Sequence, residues 1–280
     1  MMAEKSGEQS ELFAPEPPWP APELGDCYFY HSLDFPDGTS IQGCWDIRGR
    51  FDEYIGRYPL AGKTVLDVGT ATGFLAFSAE AAGARVTALD ARDSGQFERI
   101  PFSDSLYHRD RSAWIKDFEA TSHRPLRNGF WHAWHRLQSK VEVIYASAGK
   151  LHSWDRRFDV VLAGAIIEHL ADPVSAIGNM ARLANEAVII AFTDVHDSEE
   201  LIMRANGDWS NPACDYEWWA LSRGLYCQVL KNLGFEMEIT ACTALCNPNP
   251  FNDLSAPQEV TRPTIIARRV KVKPPTGVSP

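Results

Sequence analysis

A strand that runs into a turn of small residues carries the clearest chemical signal in the sequence. Residues 65–74 read VLDVGTATGF, in which an apolar, β-branched run leads into Gly69 and Gly73. Both glycines can adopt positive φ and carry no Cβ, so a ligand can lie against main-chain N–H groups near a helix N-terminus. Asp67 precedes the turn and can orient both the turn and a ligand ammonium group. These residues predict a site for the amino-acid end of a nucleoside cofactor.

A second acidic residue follows at the spacing that a ribose contact requires. Asp90 ends the next β-branched run about twenty residues after the turn, where a carboxylate can accept both ribose hydroxyls. A dinucleotide fingerprint needs G-x-G-x-x-G, whereas this turn places Gly69, Ala71 and Gly73 at two-residue intervals. No G-K-[ST] follows the turn, which excludes a Walker phosphate loop. The pair of features therefore favours a nucleoside cofactor over a dinucleotide.

Short β-branched runs that alternate with helical patterns must position these residues. The seven predicted strands are 63–68, 85–90, 141–146, 158–163, 186–192, 236–241 and 263–269. Their alternation with helices indicates an α/β, Rossmann-like fold with a mainly parallel seven-stranded sheet. No helical pattern separates the last two strands, so we expect an antiparallel last strand. Helices are predicted from Phe74 to a stop at Gly83 and from an N-cap at Ser222 to Gly234.

The rest of the chain divides by composition. Residues 1–25 are charged and proline-rich and predict a flexible leader, and 273–280 predict a flexible tail. Between them, 26–272 form one domain with long, lid-like inserts at about 95–140 and 196–226. The sequence has no apolar run long enough for a membrane span and no secretory signal, so we expect a cytoplasmic protein with reduced cysteines.

The turn also resembles a known family motif. Residues 65–73 resemble motif I of class I S-adenosylmethionine-dependent methyltransferases, with Ala71 where the middle glycine usually stands. The resemblance implies S-adenosyl-L-methionine as cofactor and S-adenosyl-L-homocysteine as product. Asp90 matches the ribose-binding acid, Ser147 replaces the usual adenine-binding aspartate, and residues 163–169 match the segment that lines the pocket. The implied cofactor-binding residues are Trp45, Arg50, Asp67, Gly69, Thr70, Gly73, Asp90, Ala91, Ser147, Ala148, Ala163 and Ile166.

A narrower resemblance covers roughly residues 41–245. The blocks 43–50, 168–173 and 218–226 are similar to the tRNA wobble-uridine modification methyltransferase-like family. That family includes many members with small-molecule or unassigned substrates, so the resemblance bears more on fold and cofactor than on substrate. It also implies that Trp45 or Arg50 lies near the cofactor entrance.

The acceptor site has two sets of candidates. His169 follows the cofactor-lining segment and could take a proton from the acceptor, although a histidine satisfied by backbone groups explains it as well. Four aromatic residues of the second insert could hold a planar or cationic acceptor, or could close the core beneath a lid. These are Tyr216, Trp218, Trp219 and Tyr226. No metal site is expected.

The sequence favours a methyltransferase that acts on a small-molecule acceptor. The formal net charge of −10 opposes nucleic-acid binding, which disfavours but leaves open the alternative of a wobble-uridine tRNA methyltransferase. That alternative would use the basic stretch 97–140 and the run Arg268, Arg269, Lys271, Lys273. A non-catalytic S-adenosylmethionine-binding regulatory protein is the third hypothesis. The oligomeric state, including a homodimer, stays open.

Overall fold

The computed structural model describes residues 12–97, 111–205, 218–249 and 252–270. Its strands are β1 (Leu33–Asp34), β2 (Ser40–Ile41), β3 (Trp45–Asp46), β4 (Thr64–Val68), β5 (Arg85–Asp90), β6 (Glu142–Tyr145), β7 (Phe158–Gly164), β8 (Ala184–Ala191), β9 (Val195–His196), β10 (Met203–Ala205), β11 (Trp219–Ser222), β12 (Phe235–Cys246) and β13 (Gln258–Arg269). Its helices are α1 (Phe51–Tyr54), α2 (Phe74–Ala81), α3 (Arg111–Phe118), α4 (Arg124–Leu137), α5 (Pro173–Leu183) and α6 (Arg223–Asn232).

An eight-stranded sheet organises the domain, in the order β3-β12-β13-β8-β7-β4-β5-β6. Strands β8, β7, β4, β5 and β6 are parallel, and β13 runs antiparallel to both β8 and β12. All seven predicted strands, the Rossmann-like class and the antiparallel last strand are confirmed. The eighth strand, β3, spans two residues and pairs with the end of β12. A strand that short has no periodicity from which it could have been predicted.

Both faces of the central strands are buried, which explains their continuous apolar sequence. In β4, Val65 belongs to one hydrophobic cluster and Leu66 to the other, because successive side chains point to opposite faces of the sheet. Helix α2 packs on the Val65 side, and α5 and α6 pack on the Leu66 side. The sheet is therefore covered on both sides, and its carboxyl-terminal edge is the place where loops can build a site.

The two helices that the sequence predicts, after Gly73 and after Ser222, are confirmed with the expected starting residues. Helix α2 begins directly after Gly73 and ends before Gly83, and both glycines have positive φ. Helix α6 begins after Ser222, whose hydroxyl accepts a hydrogen bond of 3.1 Å from the Leu225 N–H. Side-chain capping of this kind satisfies an N–H that the first helical turn leaves without a partner.

Part of the segment predicted as a flexible leader, residues 12–25, contacts the domain. Phe13 forms an antiparallel bridge with Tyr145 on β6, with N–O distances of 3.0 and 2.7 Å. His135 and His132 of α4 donate to the carbonyl oxygens of Pro18 and Pro22, at 2.9 and 2.8 Å. These partners lie more than 100 residues away in sequence, so composition could not indicate them. Residues 1–11 and the predicted tail lie outside the described residues.

The two inserts form local structure over their described parts. The first contains α3, a π-helical turn (Glu119–His123) and α4. The second contains the three-stranded sheet β10-β11-β9 and leads into α6. Residues 98–110 and 206–217, with Tyr216, lie outside the described residues. In the described ranges, no helix combines the length and apolar character that crossing a bilayer requires.

Candidate active site

The turn between β4 and α2 has the tight geometry that its small residues predict. Gly69, Ala71 and Gly73 have φ values of 76°, 48° and 84°. A Cβ added at Gly69 would lie 2.9 Å from Cδ1 of Ile166, and one at Gly73 would collide with the Phe77 ring. Glycine is therefore required at both positions, because the backbone φ is positive and a Cβ would collide with a neighbouring side chain. Ala71 adopts the left-handed region without the freedom of glycine, which stores strain in the turn.

Asp67 is a buried carboxylate at the base of this turn. Its side chain is 0% exposed, and neither oxygen reaches hydrogen-bond geometry with a described residue. Burial raises the pKa of Asp67 to about 7, although the nearby Thr70 hydroxyl and Ala76 N–H oppose the shift. A buried acceptor without a partner calls for a donor from outside the chain. The ammonium group of an amino-acid cofactor, directly or through water, fits this position.

Asp90 connects the turn to the end of the neighbouring strand. Its Oδ2 accepts a hydrogen bond of 2.7 Å from the Ala71 N–H, and its Oδ1 accepts one of 2.7 Å from Ala91. Burial raises the pKa of Asp90, while the nearby His123, the two N–H groups and Arg127 oppose the shift. Each carboxylate oxygen retains a lone pair for a further donor. Asp90 can therefore hold the turn and still accept ribose hydroxyls.

The remaining cofactor candidates of the sheet edge lie around these two acids. Ala146 donates to the Asp90 carbonyl at 2.9 Å, which places Ser147 and Ala148 beside the end of β5. In β7, Ala163 pairs with Val68, and Ile166 follows two residues after the strand against Gly69. The structure thus brings together Asp67, Gly69, Thr70, Gly73, Asp90, Ala91, Ser147, Ala148, Ala163 and Ile166 at the carboxyl ends of β4, β5, β6 and β7.

Trp45 and Arg50 lie apart from this group. Arg50 donates to the Thr243 carbonyl at 3.1 Å and lies 3.7 Å from a Glu259 carboxylate oxygen, so it contacts the β12–β13 hairpin. Trp45 lines a recess next to the ends of β7 and β8. The placement of both residues at the cofactor entrance stays a prediction.

That recess has about 270 Å³ of empty volume, including the part open to solvent. It is lined by Tyr30, His31, Trp45, Ile47, Tyr54, Ala165, Phe192, Ala244 and Arg262. The Phe192 ring stands edge-on to Trp45 at 5.3 Å between centroids and stacks on Tyr54 at 5.6 Å. The recess therefore presents aromatic rings from four separate segments to one small volume.

Backbone strain is concentrated along the same edge of the sheet. Ala165 and Phe192, which follow β7 and β8, have φ values of 45° and 55°. A left-handed conformation is a clear outlier for a residue as bulky as phenylalanine. Hydrogen bonds hold both positions: Ala165 N–H donates to Ala191 O at 2.8 Å, and Phe192 N–H donates to the Thr264 hydroxyl at 3.2 Å. Strain of this kind is characteristic of functional sites.

His31 connects the recess to the cofactor turn. Its backbone N–H lies 3.4 Å from the Thr72 hydroxyl, and its ring centroid lies 5.5 Å from that of Phe74. The His31 side chain is 7% exposed, and its Nδ1 atom has no hydrogen-bond partner among the described residues. Burial lowers the pKa of His31 to about 3, so the imidazole is neutral at physiological pH.

The predicted acceptor residues occupy other places. His169 is half-buried on the turn Ile167–His169 and is not among the described residues that line the recess, so its role as a base stays a prediction. Trp218 and Tyr226 are buried, and the Trp219 indole donates to the Ala171 carbonyl at 3.1 Å. The structure thus places Tyr226 and Trp218 in the packed interior.

Sequence reasoning missed most of the recess. Phe192 is the last residue of the predicted strand 186–192, and its position at a carboxyl end could have identified it. Tyr30, His31 and Arg262 carry no local signal, because they come from the two ends of the chain. Within the part of the chain that the structure describes, no group of three or more His, Cys, Asp or Glu side chains could hold a metal ion.

Comparison with known proteins identifies the domain. The family described as "Methyltransferase domain" matches residues 47–238, more than half of the chain. No curated protein matches the sequence. The similarity to the tRNA wobble-uridine family is not confirmed by these comparisons.

Three solved structures illustrate the fold similarity. The N-terminal domain of EvdMO1, solved in the presence of SAH and D-fucose, has 14% identity and a TM-score of 0.51, with 87% of this chain and 91% of that chain covered. The magnesium protoporphyrin IX methyltransferase of Synechocystis PCC 6803 with bound SAM has 14% identity, coverage of 80% and 78%, and a TM-score of 0.45. A putative RNA methyltransferase of Pyrococcus horikoshii has 12% identity, coverage of 80% and 85%, and a TM-score of 0.47.

Proposed function

The chain belongs to the methyltransferase-domain family, and from that premise we propose that it methylates a small-molecule acceptor held in the aromatic recess beside the turn. The enzyme is an S-adenosylmethionine-dependent methyltransferase. The cofactor supplies a methyl group on a sulfonium, which leaves as a neutral thioether. The alternatives of a tRNA enzyme and of a non-catalytic binding protein gain no support from the described residues.

The proposal rests on one observation: the polar cofactor turn and the aromatic recess lie next to each other. The turn offers a buried, unpartnered carboxylate at Asp67 and a ribose acceptor at Asp90, which suit the cofactor. The recess begins at Ala165, directly after the strand β7 that neighbours β4, and is lined by aromatic rings. Its empty volume of about 270 Å³ includes the part open to solvent, so the enclosed part accepts only a small group of the acceptor.

The chain's own residues have three tasks in this reaction. The turn and the two acids bind the cofactor and fix its direction. The recess orients the acceptor so that its nucleophilic atom lies in line with the departing sulfur, and alignment of this kind supplies a large share of rate acceleration. The rings of Trp45, Tyr54 and Phe192 exclude water and favour a nearby cation.

Calorimetry with S-adenosylhomocysteine tests the cofactor assignment directly. Asp67→Ala and Gly69→Val should each weaken binding at least tenfold, because they remove the ammonium acceptor and fill the turn. Asp52→Ala, at an exposed position of α1, and Gly178→Val, at a helical glycine with open space around its Cα, are the matched controls. Unchanged affinity in both site variants, with folding intact by circular dichroism, would refute the assignment.

A further inference from the structure

One cation faces the recess without a hydrogen-bond partner among the described residues. Arg262 is the only cationic side chain among the described residues that line it. Its guanidinium lies 3.8 Å from a Glu168 carboxylate oxygen, which is beyond hydrogen-bond distance, and 5.5 Å from the centroid of the Phe192 ring. A guanidinium has five N–H donors in a planar fork. The donors of Arg262 are therefore available to a ligand in the recess.

Glu168 explains why Arg262 is held at this place. The Glu168 side chain is 4% exposed and accepts a hydrogen bond of 3.2 Å from the Thr193 hydroxyl. Glu168 is not among the described residues that line the recess, although its charge acts on two that do, Tyr30 and Tyr54. The attraction between the two groups positions the guanidinium and leaves its remaining donors directed elsewhere.

The recess offers a second polar group in His31. Its imidazole lines the recess, and its buried Nδ1 has no hydrogen-bond partner in the described part of the chain. Because His31 also contacts Thr72 and Phe74 after the cofactor turn, it lies on the side of the recess nearest the cofactor. A hydroxyl group of the acceptor could satisfy this nitrogen, whereas an aliphatic or aromatic ring alone would leave it unpaired.

We propose that the recess selects a small, planar acceptor that carries both an oxyanion and a hydroxyl group, with the oxyanion bound by Arg262 and the hydroxyl directed by His31 toward the cofactor. This inference rests on the proposed function and adds the chemical class of the acceptor. The aromatic lining supplies the contact for a planar body, and the guanidinium geometry suits a carboxylate or a phosphate.

The proton balance of this reaction is consistent with a neutral histidine. The acceptor oxygen forms a bond to the methyl carbon as the carbon–sulfur bond breaks, and that electron pair stays on sulfur. The methylated oxygen still holds its proton, is positively charged and is strongly acidic, so even a weakly basic imidazole can take the proton. The pKa of His31, lowered by burial to about 3, keeps its lone pair free until that moment. The transfer leaves the net charge of the site unchanged, because the positive charge of the sulfonium ends on the protonated imidazole.

Probe binding to the full chain saturated with S-adenosylhomocysteine tests the inference. The probes are the three hydroxybenzoate isomers, hydroxyphenyl phosphate, neutral hydroxybenzamide and benzoate, measured by calorimetry and ligand-observed NMR. At least one oxyanion probe should bind about tenfold tighter than hydroxybenzamide, because a charge-assisted bidentate contact is made only with the anion. The carboxylate and phosphate arms show which oxyanion the recess prefers. Equal binding of neutral and anionic probes, or no binding of any probe, would overturn the inference.

Four variants test whether Arg262 recognises the oxyanion or only supports the local structure. Arg262→Met should abolish the preference for the oxyanion, and the double variant with Glu168→Gln should do the same without leaving a buried negative charge that has lost its cation. Glu168→Gln alone should keep or strengthen the preference, because Arg262 loses its competitor. Arg268→Met is the matched control, since Arg268 lies on the same strand and pairs with Glu238 on the surface. Loss of the preference in Glu168→Gln or Arg268→Met, or its retention in Arg262→Met, would contradict the assignment.

The histidine arm compares hydroxybenzoate with benzoate, which lacks the hydroxyl. His31→Leu should remove the several-fold preference for hydroxybenzoate, and His31→Asn should restore part of it, because an amide oxygen can accept from the hydroxyl. A preference that survives in His31→Leu would overturn the role of His31. Affinity for S-adenosylhomocysteine is measured in every variant. If the wild-type chain does not bind S-adenosylhomocysteine, the proposed function is refuted. If it binds S-adenosylhomocysteine but shows no preference among the probes, only the acceptor class is refuted.

Discussion

At the scale of single residues, we expect Asp67 to couple cofactor binding to pH. Its folded-state pKa of about 7 lies above the ordinary 3.8, so the folded chain holds this proton more tightly than the unfolded chain. The free energy of unfolding should therefore fall as the pH rises from about 4 to about 7 and then level off. A cofactor ammonium favours the carboxylate form, so binding must release the proton below pH 7.

We expect the affinity for S-adenosylhomocysteine to rise by up to about tenfold per pH unit between pH 5 and 7 and to be constant above that range. Asp67→Asn cannot ionise, and it should show weak, pH-independent binding. Calorimetry in two buffers of different ionisation enthalpy measures the released proton directly. Asp52→Asn, on exposed α1, should behave like wild type. An identical pH slope in Asp67→Asn would show that another group is titrating.

Ala71 shows how a single methyl group can strain the turn. At a φ of 48°, the left-handed region costs a non-glycine residue roughly 1 kcal/mol. Ala71→Gly removes that strain but adds a comparable entropy to the unfolded chain, so its stability should stay within about 0.5 kcal/mol of wild type. Ala71→Val should lose about 1 to 3 kcal/mol, because a β-branched side chain is poorly tolerated there.

Urea unfolding measures both Ala71 variants. Ala82→Val is the control, because Ala82 is exposed at the end of α2 with an ordinary negative φ. Exposed substitutions without strain change stability by about 0.5 kcal/mol or less. If Ala71→Val proved as stable as Ala82→Val, the backbone of the turn would have to relax away from its left-handed conformation.

At the scale of elements, the segment before the domain protects the open edge of the sheet. Strand β6 is an edge strand, and exposed edges present unpaired backbone groups to solvent. Tyr145 uses its N–H and C=O to pair with Phe13, while His132 and His135 hold the segment further along. Removal of residues 1–22 should speed hydrogen exchange of the Tyr145 amide at least about tenfold, since it loses its acceptor.

The Val161 amide in the central strand β7 is the internal control for this exchange experiment. It should exchange at the same rate with and without the segment, because it lies in the middle of the sheet. Substitution of His135 by Ala should have a smaller effect than the deletion, since one anchor remains at Pro22. An unchanged rate at Tyr145 would mean that the bridge does not protect the edge in solution.

The same elements show what local sequence can and cannot predict. The central strands were predictable because burial on both faces imposes continuous apolar runs, and the turn because only small residues fit it. The full length of β12 was not predictable: the prediction 236–241 leaves out residues 242–246, which are held in the strand by pairing with β13 and β3 that the local sequence does not encode. Strand β13 continues through Pro263, which the structure tolerates because pairing with β8 covers only Ile265–Arg268.

The aromatic recess depends on contacts that no local pattern encodes. His31 and Arg262 are separated by more than 200 residues, and they share the recess only because the sheet places their segments at one edge. The aromatic residues of the second insert formed a denser sequence cluster, yet Tyr226 lies in the core. Aromatic density alone did not distinguish a binding site from packing, because both environments favour large apolar rings.

At the scale of the whole molecule, the net charge of the chain favours a small-molecule acceptor over RNA. The chain carries a formal net charge of −10, which repels a polyanion at long range. Two cations of the basic run are described, and both are engaged: Arg268 pairs with Glu238 at 2.6 Å, and Arg269 donates to the Ala181 and Ala184 carbonyls. In the first insert, Arg136 pairs with Asp37.

We therefore expect bulk tRNA to bind more weakly than about 10⁻⁴ M at physiological salt, the weak limit of non-specific nucleic-acid affinity. Fluorescence anisotropy over a salt series measures this, with S-adenosylhomocysteine binding in the same buffers as the control for folded protein. Glu238→Gln, which releases Arg268, should leave the result unchanged. An RNA enzyme would instead bind tRNA in the micromolar range. Its log K would fall linearly with log salt concentration, because each phosphate contact frees a counterion, and Glu238→Gln would strengthen binding by releasing Arg268. That pattern would require the acceptor to be a nucleic acid despite the narrow recess.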